Sequence, residues 1–289
     1  MTVDRSEPGT ASEKLQHVPW IHGSAPAQEN TDPEIQVHWH DADTVVMRQS
    51  MAVNYEAPFM YLLFGRRRAV LLDTGATPET ELFPLRSVVD GLIGQWTADQ
   101  RLDKYELIVL HTHAHGDHTA ADGQFVGRPS TAIVGASREI AWPWFGLTDD
   151  LDQTVQVRLG GRDLEVLQSP GHHESAVTIY DPQTGWLLTG DSVYPGRLYV
   201  EEAPKFRATL QRLVNFCADR RVTEILGCHV EMSRVCGVDY PTGTTFQPDE
   251  RELPMTVRQL NELYRAAWDV GDAPGRYVFD DFILEILGN

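Results

Sequence analysis

The sequence predicts an α/β protein, because short apolar runs of strand length alternate with longer stretches whose apolar residues recur at helical spacing. We find no internal repeat of the period that solenoid proteins use. The chain has 289 residues, which is long enough for one large domain with a sizeable buried core or for two small domains.

Strand-like segments begin at residue 35, after an N-terminal stretch rich in Pro, Ser, Glu and Gln. We expect that stretch, residues 1–33, to be a loosely ordered arm that lies over the domain or over a neighbouring subunit. The segment QVHWHDADTVVMRQ alternates in part between apolar and polar residues. The segments MYLLFG and RRRAVLLDTG predict two strands joined at Gly65 and the arginines.

A helix is predicted after the second of these strands. Thr77 can cap it, Pro78 suits its first position, and Glu79 favours the positive end of the helix dipole. Its apolar face would consist of Leu82, Leu85, Val89 and Leu92.

The middle of the chain predicts a series of buried strands. Residues 105–110, YELIVL, form an apolar run that ends where a group of histidines begins. Further strand candidates are TAIVGAS, LEVLQSP, AVTIYD, GWLLTGD and VTEILGCHVE. One later helix would place Phe206, Leu210, Leu213 and Cys217 on its apolar face, and another is predicted over residues 255–268.

Three regions follow from this organisation. They are the arm, residues 1–33; a core, residues 34–239; and a C-terminal loop and helical extension, residues 240–289, which we expect to pack on the core. The arm and the last helix would offer surfaces to a homodimer.

The composition limits the partners. Lys and Arg number 24 and Asp and Glu number 42, which gives a formal net charge of −18. A surface this acidic repels a phosphate backbone, so nucleic acid is not an expected partner. The N-terminal segment MTVDRSEPGTASEK has no apolar stretch, and no run elsewhere is long enough to span a bilayer, so we expect no signal peptide and no membrane partner.

The three cysteines, Cys217, Cys228 and Cys236, form no CxxC pair and give no disulfide framework. This usage suits a reducing cytoplasm, which is the location we expect. Cys228 stands beside a histidine, but we expect a small buried packing residue rather than a nucleophile.

The stretch HTHAHGDHTA, residues 111–120, carries four histidines and one aspartate. Imidazole and carboxylate together suit zinc and neighbouring transition metals. Alternate residues of an extended segment share a face, so His113 and His115 can point at one ion. The glycine after them lets the chain turn, so that Asp117 and His118 can serve a second ion.

Three other predicted strands end in a possible ligand. His172 follows a strand in SPGHHE, Asp191 follows another in LLTGDSVY, and His229 follows a third in EILGCHVE. Several strand ends that each deliver a ligand favour a metal site far more than one histidine cluster does.

These segments resemble the metallo-β-lactamase-fold hydrolases. T-H-A-H-G-D-H at 112–118 matches their T-H-x-H-x-D-H signature. Their other sequence blocks are similar, in the same order, to LLDTG at 71–75, SPGH at 169–172, TGDSV at 189–193 and GCH at 227–229. The resemblance covers residues 35–235 and implies an αββα sandwich with the metals at one edge, between the sheets. Within that superfamily the sequence resembles the branch of glyoxalase II, lactonases and acyl-CoA thioesterases.

The resemblance also implies a role for each matching residue. The first metal site would consist of His113, His115 and His172. The second would consist of Asp117, His118 and His229. Asp191 would bridge both ions, and Asp73 would hold the ligand loop without binding metal. The pair Ser175-Ala176 departs from the Gly-Ser that the family often has there, which affects the loop rather than the ligand.

The implied activity is hydrolysis of a small acyl substrate, an ester, thioester or lactone. Two divalent ions, best zinc and otherwise iron or manganese, would lower the pKa of a shared water from near 16 to roughly 7. The resulting hydroxide would attack the acyl carbonyl, with Asp117 orienting it and accepting its proton. Tyr194 in DSVY resembles the tyrosine that polarises the carbonyl in acyl-homoserine lactonases, and a packed aromatic at a strand end is the alternative.

Other functions stay open. An iron-dependent oxygenase of the persulfide dioxygenase type uses a similar scaffold, but the arginine-threonine-aspartate stretch typical of it is missing after Asp191. A β-lactam hydrolase is disfavoured because those enzymes generally lack the bridging aspartate. A binding protein with a vestigial site would retain no metal.

Two neighbouring histidines compete with the assigned ligands. His111 is expected to be a hydrogen-bonded strand residue, because neither site needs a further ligand. His173 adjoins His172 and could line the pocket.

Overall fold

Two six-stranded sheets lie at the centre of the computed structural model, which describes residues 15–25 and 29–288. The first sheet has the spatial order β1 (Ile35–Asp41), β2 (Thr44–Gln49), β3 (Phe59–Phe64), β4 (Arg68–Leu72), β5 (Glu106–Leu110) and β6 (Thr131–Ile133). The second contains β7 (Thr154–Arg158), β8 (Asp163–Gln168), β9 (Val177–Asp181), β10 (Trp186–Gly190), β12 (Glu224–Gly227) and β13 (Pro254–Met255). A third, smaller sheet contains β11 (Arg197–Val200), β14 (Gly275–Val278) and β15 (Ile283–Ile286).

The described residues contain six α-helices. They are α1 (Leu85–Gln100), α2 (Gly116–Thr119), α3 (Asp122–Phe125), α4 (Arg138–Phe145), α5 (Ala203–Ala218) and α6 (Val257–Val270). Helix α1 packs on the first sheet, and α5 and α6 pack on the second. These are the layers of an αββα sandwich, so the predicted fold is confirmed.

The alternation of side chains along β3 produces this layering. Phe59, Tyr61 and Leu63 point into the cluster between the two sheets. Met60 and Leu62 point the other way, into the cluster under α1. All of them are fully buried, because successive residues of a strand face opposite sides and this strand is covered on both sides.

The strands read from the sequence are confirmed for β3, β4, β5, β6, β8, β9, β10 and β12. The QVHWHDADTVVMRQ segment forms the antiparallel pair β1 and β2. Five short strands were not predicted, namely β7, β11, β13, β14 and β15.

The helix after β4 begins later than the sequence predicts. Thr77 does not cap it, nor do Pro78 and Glu79 belong to it, because α1 starts at Leu85. The Thr77 hydroxyl instead accepts a hydrogen bond of 2.7 Å from Gln49 Nε2 on β2. That buried contact holds the chain against the sheet in a non-helical path.

The inward face of α1 agrees with the predicted spacing from its first residue onward. Leu85, Val89 and Leu92 are buried, whereas Leu82 precedes the helix and is 56% exposed. The two later helices are confirmed, with α5 and α6 close to their predicted ranges.

The terminal regions contact the core. Leu15 and Val18 are buried in the cluster between the sheets, so a loose arm is wrong for this part of the N-terminal stretch. Residues 1–14 and 26–28 of the predicted arm lie outside the described residues. At the other end, β15 pairs in parallel with β11, and α6 packs against α5.

Among the helices that the structure describes, none has the length and apolar character needed to cross a bilayer.

Candidate metal centre

The predicted ligands lie at one edge of the sandwich, in loops that follow strand ends. Strands β4 and β5 run parallel, as do β10 and β12, so their carboxyl ends meet at the same edge. His113 follows β5, Asp191 follows β10, and His229 follows β12. His172 joins them from the loop after β8.

Three imidazoles form the first cluster. His172 Nε2 lies 3.2 Å from His113 Nε2 and 3.1 Å from His115 Nδ1, and the last two atoms are 3.0 Å apart. Tetrahedral zinc with bonds of 2.0–2.1 Å would separate its nitrogens by about 3.3 Å. The three nitrogens therefore have the spacing of one face of a zinc tetrahedron.

Hydrogen bonds to the ring nitrogens that face away from the clusters fix the orientation of His172 and His229. His172 Nδ1 lies 2.8 Å from the Tyr199 carbonyl oxygen, so this nitrogen donates and Nε2 keeps its lone pair for the cluster. His229 is held in the same way, with Nδ1 at 3.0 Å from the Glu56 carbonyl oxygen.

The second cluster consists of one carboxylate and two imidazoles. Asp117 Oδ2 lies 3.1 Å from His229 Nε2 and 3.3 Å from His118 Nε2. His118 and His229 are buried, while the Asp117 side chain is 22% exposed.

Asp191 lies between the two clusters. Its Oδ2 is 3.9 Å from His113 Nε2 and 3.7 Å from His172 Nε2. Its Oδ1 is 3.5 Å from both His118 Nε2 and His229 Nε2. One carboxylate oxygen thus faces each cluster, which is the arrangement that a bridging ligand requires.

Two atoms of the centre test whether the residues fit metal ions. His118 Nε2 and Asp191 Oδ1 are buried, and neither makes a hydrogen bond of acceptable geometry within the described residues, although they lie 3.5 Å apart. A buried polar atom without a partner costs about 1–3 kcal/mol, so such atoms require an explanation. Both atoms point into the cluster that offers metal ligands, and a divalent cation there would satisfy them.

The charges of the second cluster are tightly linked. Burial lowers the pKa of His229, but the Asp191 and Asp117 carboxylates outweigh burial and raise the pKa to about 10. Burial alone would raise the pKa of Asp117, yet His118 and His229 lower it well below its usual range. A metal ion that binds His229 must therefore displace a proton.

In the first cluster, burial outweighs the attraction of the nearby Asp191 carboxylate, so histidine pKa values are lowered and not raised. Burial, followed by the neighbouring His118, lowers the pKa of His113 well below its usual value. Burial also lowers the pKa of His172. Neutral imidazole is the form that binds metal, so His113 and His172 are already in their ligating state near neutral pH.

Asp73 organises the ligand loop from behind. It follows β4 in the left-handed region with φ 66° and is fully buried. Its Oδ1 accepts from the Thr112 backbone N–H at 2.8 Å, and its Oδ2 accepts from the Thr112 hydroxyl at 2.9 Å. Oδ2 also lies 3.0 Å from His118 Nδ1 and 3.2 Å from Cys228 Sγ. These contacts hold the ligand loop, and the expectation that Asp73 itself binds no metal stays a prediction.

Cys228 is fully buried, and burial followed by the charge of Asp73 raises the pKa of its thiol well above the usual value. A thiol in this state is a poor nucleophile, as expected for a packing residue.

The tyrosine contact does not support the predicted catalytic role of Tyr194. Its ring is buried, with its centroid 5.7 Å from that of the His229 ring. Its hydroxyl, however, donates to the Arg197 carbonyl oxygen at 2.5 Å. A hydroxyl bound to the backbone in this way stabilises the fold, so catalysis by Tyr194 stays a prediction.

The two competing histidines differ in burial and in their contacts. His111 is buried, with Nδ1 3.0 Å from the Val134 carbonyl oxygen and Nε2 2.8 Å from Asp122 Oδ1, so it is hydrogen bonded as predicted. The His173 ring lies 4.8 Å from the His115 ring and is half-buried at the solvent side.

Sequence reasoning missed the groups that orient the ligands. The Tyr199 and Glu56 carbonyls carry no side-chain signal, so no residue pattern could reveal them. Glu201 was also missed, although its Oε1 lies 3.8 Å from His115 Nε2. Thr112 could have been found, because it stands within the T-H-x-H motif itself.

Comparisons with known proteins agree with this geometry. A family model described as the metallo-beta-lactamase superfamily matches residues 54–229. The hydroxyacylglutathione hydrolase of Chelativorans sp. (strain BNC1) is 29% identical over 110 residues, 37% of this chain and 43% of that protein. The same-named protein of Chromohalobacter salexigens is 32% identical over 185 residues, 58% of this chain and 69% of that protein. The chain thus spans less than two thirds of the first of these relatives.

A solved structure, DIM-1 metallo-beta-lactamase, superimposes with a TM-score of 0.53 and 13% identity over 84% of this chain and 100% of that one. This likeness concerns the fold alone. Because the family model matches more than half of the sequence, the chain belongs to the metallo-beta-lactamase superfamily.

Proposed function

We propose that this chain is a dinuclear metal-dependent hydrolase whose substrate is a small ester, thioester or lactone. The observation that carries the proposal is Asp191, which presents one carboxylate oxygen to each of two ligand clusters. The relatives named hydroxyacylglutathione hydrolase support hydrolysis as the reaction class.

The first ion would be held by His113, His115 and His172, and the second by Asp117, His118 and His229. Imidazole with carboxylate suits zinc, and iron or manganese are the alternatives. When bound, two such ions supply an activated water and stabilise negative charge on a carbonyl oxygen.

The chain's own residues orient the reaction. Asp117 Oδ2 contacts His118 and His229, whereas Asp117 Oδ1 makes no hydrogen bond within residues 15–25 and 29–288. That oxygen is free to accept the proton of the attacking water. Buried rings on the other sides exclude bulk solvent, so the substrate would enter past His115 and Asp117, whose side chains are 39% and 22% exposed.

The test combines metal counting with a substrate panel. Zinc-loaded protein would be assayed with an acyl-CoA thioester, a homoserine lactone, an aryl ester and a chromogenic β-lactam. We expect two zinc ions per chain and turnover of one acyl class. His113→Ala and His229→Ala should each lose zinc, and Asp117→Ala should lose turnover.

His22→Gln is the matched control, since this exposed histidine lies outside both clusters. It should keep both ions and full turnover. Zinc binding without turnover of any substrate would contradict the hydrolase, and oxygen uptake by iron-loaded protein would favour the oxygenase.

A further inference from the structure

The metal centre faces solvent on one side. His115 and Asp117 have the most exposed side chains of the seven predicted ligands, whereas the Asp191 side chain is only 9% exposed. A substrate that reaches the centre therefore passes these two side chains and the groups beside them.

Negative charge stands beside His115. Glu201 places Oε1 3.8 Å from His115 Nε2, and its side chain is 44% exposed. Glu174 is exposed on the neighbouring loop, and both carboxylates act electrostatically on His173. We call Glu174, Glu201 and His173 the mouth of the site.

Positive charge does not offset these carboxylates. The loops that carry the centre and its surroundings are residues 50–58, 111–119, 169–176, 199–205 and 228–250. Their basic residues are Lys205 and Arg234, and each is ion-paired, Lys205 with Glu202 at 2.7 Å and Arg234 with Glu252 at 3.8 Å.

Arg197, on the strand next to the mouth, is neutralised as well. It is buried and lies against Glu231 at 2.5 Å and Asp239 at 2.9 Å. The described part of the chain thus offers no unpaired cation in these loops to receive a phosphate or a carboxylate.

The mouth also holds a neutral donor. The Ser175 backbone N–H donates to His173 Nδ1 at 3.1 Å, so a neutral His173 ring carries its hydrogen on Nε2. No residue within 15–25 and 29–288 accepts a hydrogen bond from that nitrogen. An uncharged amide or carbonyl of a substrate could use it.

We propose that the mouth selects acyl substrates that are neutral or cationic and disfavours acyl groups on anionic carriers. The inference rests on the proposed function, because it concerns the substrate of the same centre. The reason is electrostatic: a cleft lined by one sign of charge repels ligands of that sign and weakens both their encounter and their binding.

Two thioesters of one acyl group test the proposal, one on pantetheine and one on coenzyme A. They share the thioester end and differ in the phosphorylated adenosine of coenzyme A, so the salt dependence separates the effect of charge from that of bulk. We expect kcat/KM to be about tenfold higher for the pantetheine thioester at low ionic strength, and the gap to narrow as salt screens the mouth. Equal values, or a preference for the coenzyme A thioester, would overturn the proposal.

Variants assign the selectivity to named residues. Glu201→Gln and Glu174→Gln should each reduce the ratio about threefold, whereas Glu202→Gln should leave it unchanged. Glu202 is the matched control because it is the next residue, is equally exposed, and is paired with Lys205. Both substrates use one centre, so any loss of metal cancels in the ratio. An unchanged ratio in Glu201→Gln and Glu174→Gln would refute the assignment.

Binding separates this inference from the proposed hydrolysis. Cobalt-loaded protein would be titrated with free pantetheine and with free coenzyme A, and the thiolate-to-cobalt absorption would report the dissociation constants. Tighter binding of pantetheine would support the selective mouth even if the zinc protein hydrolysed neither thioester, in which case the hydrolase proposal alone would fail. Equal binding would contradict the selective mouth even if hydrolysis occurred.

Discussion

Asp73→Asn is the perturbation whose effect follows most directly from the geometry. The substitution keeps the size of the side chain, and asparagine tolerates the left-handed conformation found here at φ 66°. Asp73 Oδ2 lies 3.0 Å from His118 Nδ1, which makes that nitrogen the donor and leaves Nε2 as the metal-facing lone pair.

An amide changes that arrangement. If the oxygen of the introduced amide keeps the bond from the Thr112 N–H, its NH₂ group faces His118 Nδ1, and two donors then meet. The imidazole relieves this conflict by moving its hydrogen to Nε2, which removes the lone pair that a metal needs. Loss of such a supporting contact typically costs 10–100-fold in metal affinity, or about 1.4–2.7 kcal/mol.

The assay is calorimetric zinc titration of chelator-treated protein. We expect the second zinc ion to bind Asp73→Asn about 10–100-fold more weakly and the first to bind almost as in the parent. Asp122→Asn is the control, because Asp122 contacts His111, which directly precedes the motif and lies outside both clusters. Parent affinity for both ions in Asp73→Asn would refute the reasoning about the His118 ring.

Three further outcomes are expected. Tyr194→Phe should lower the free energy of unfolding by about 1 kcal/mol, because the Arg197 carbonyl loses its donor. It should change kcat less than threefold, and a hundredfold fall in kcat would instead support a catalytic role for Tyr194. The pKa of His229 is raised from 6.5 to about 10, so protonated His229 stabilises the chelator-treated protein fully below pH 6.5, and this stabilisation is lost as the pH rises through 10. Denaturant midpoints measured from pH 6 to 10 should therefore fall with pH, and the midpoints of His229→Gln should lack this dependence. Arg48→Met should lower the free energy of unfolding in urea by about 3–5 kcal/mol, because it removes the buried partner of Glu250, whose side chain is only 10% exposed. A loss below 1 kcal/mol would contradict this expectation.

The sequence predicted most of the site because its signals are local. The ligands stand in short blocks directly after apolar strands, and strand ends meet at a sheet edge in this fold class. The alternation of side chains along β3 and the spacing of apolar residues along α1 depend only on residues close in sequence, so both could be predicted.

Features that depend on distant contacts escaped prediction. The start of α1 was placed too early because Thr77 is held by Gln49, a residue from another strand. The pairing of β15 with β11 joins the end of the chain to its middle, and its short strands resemble loops in sequence. Glu201 gave no signal, since its importance comes only from its distance to His115.

In the proposed function each of the two clusters holds one metal ion, and Asp191 contacts both ions. A crystal structure of the zinc-loaded protein with anomalous data collected at the zinc absorption edge tests it most directly. We predict two peaks about 3.5–4 Å apart, each about 2.0–2.2 Å from its ligand atoms, with Asp191 contacting both. A single peak, or a peak held by Asp73, His118 and Cys228 instead, would contradict this arrangement of two ions.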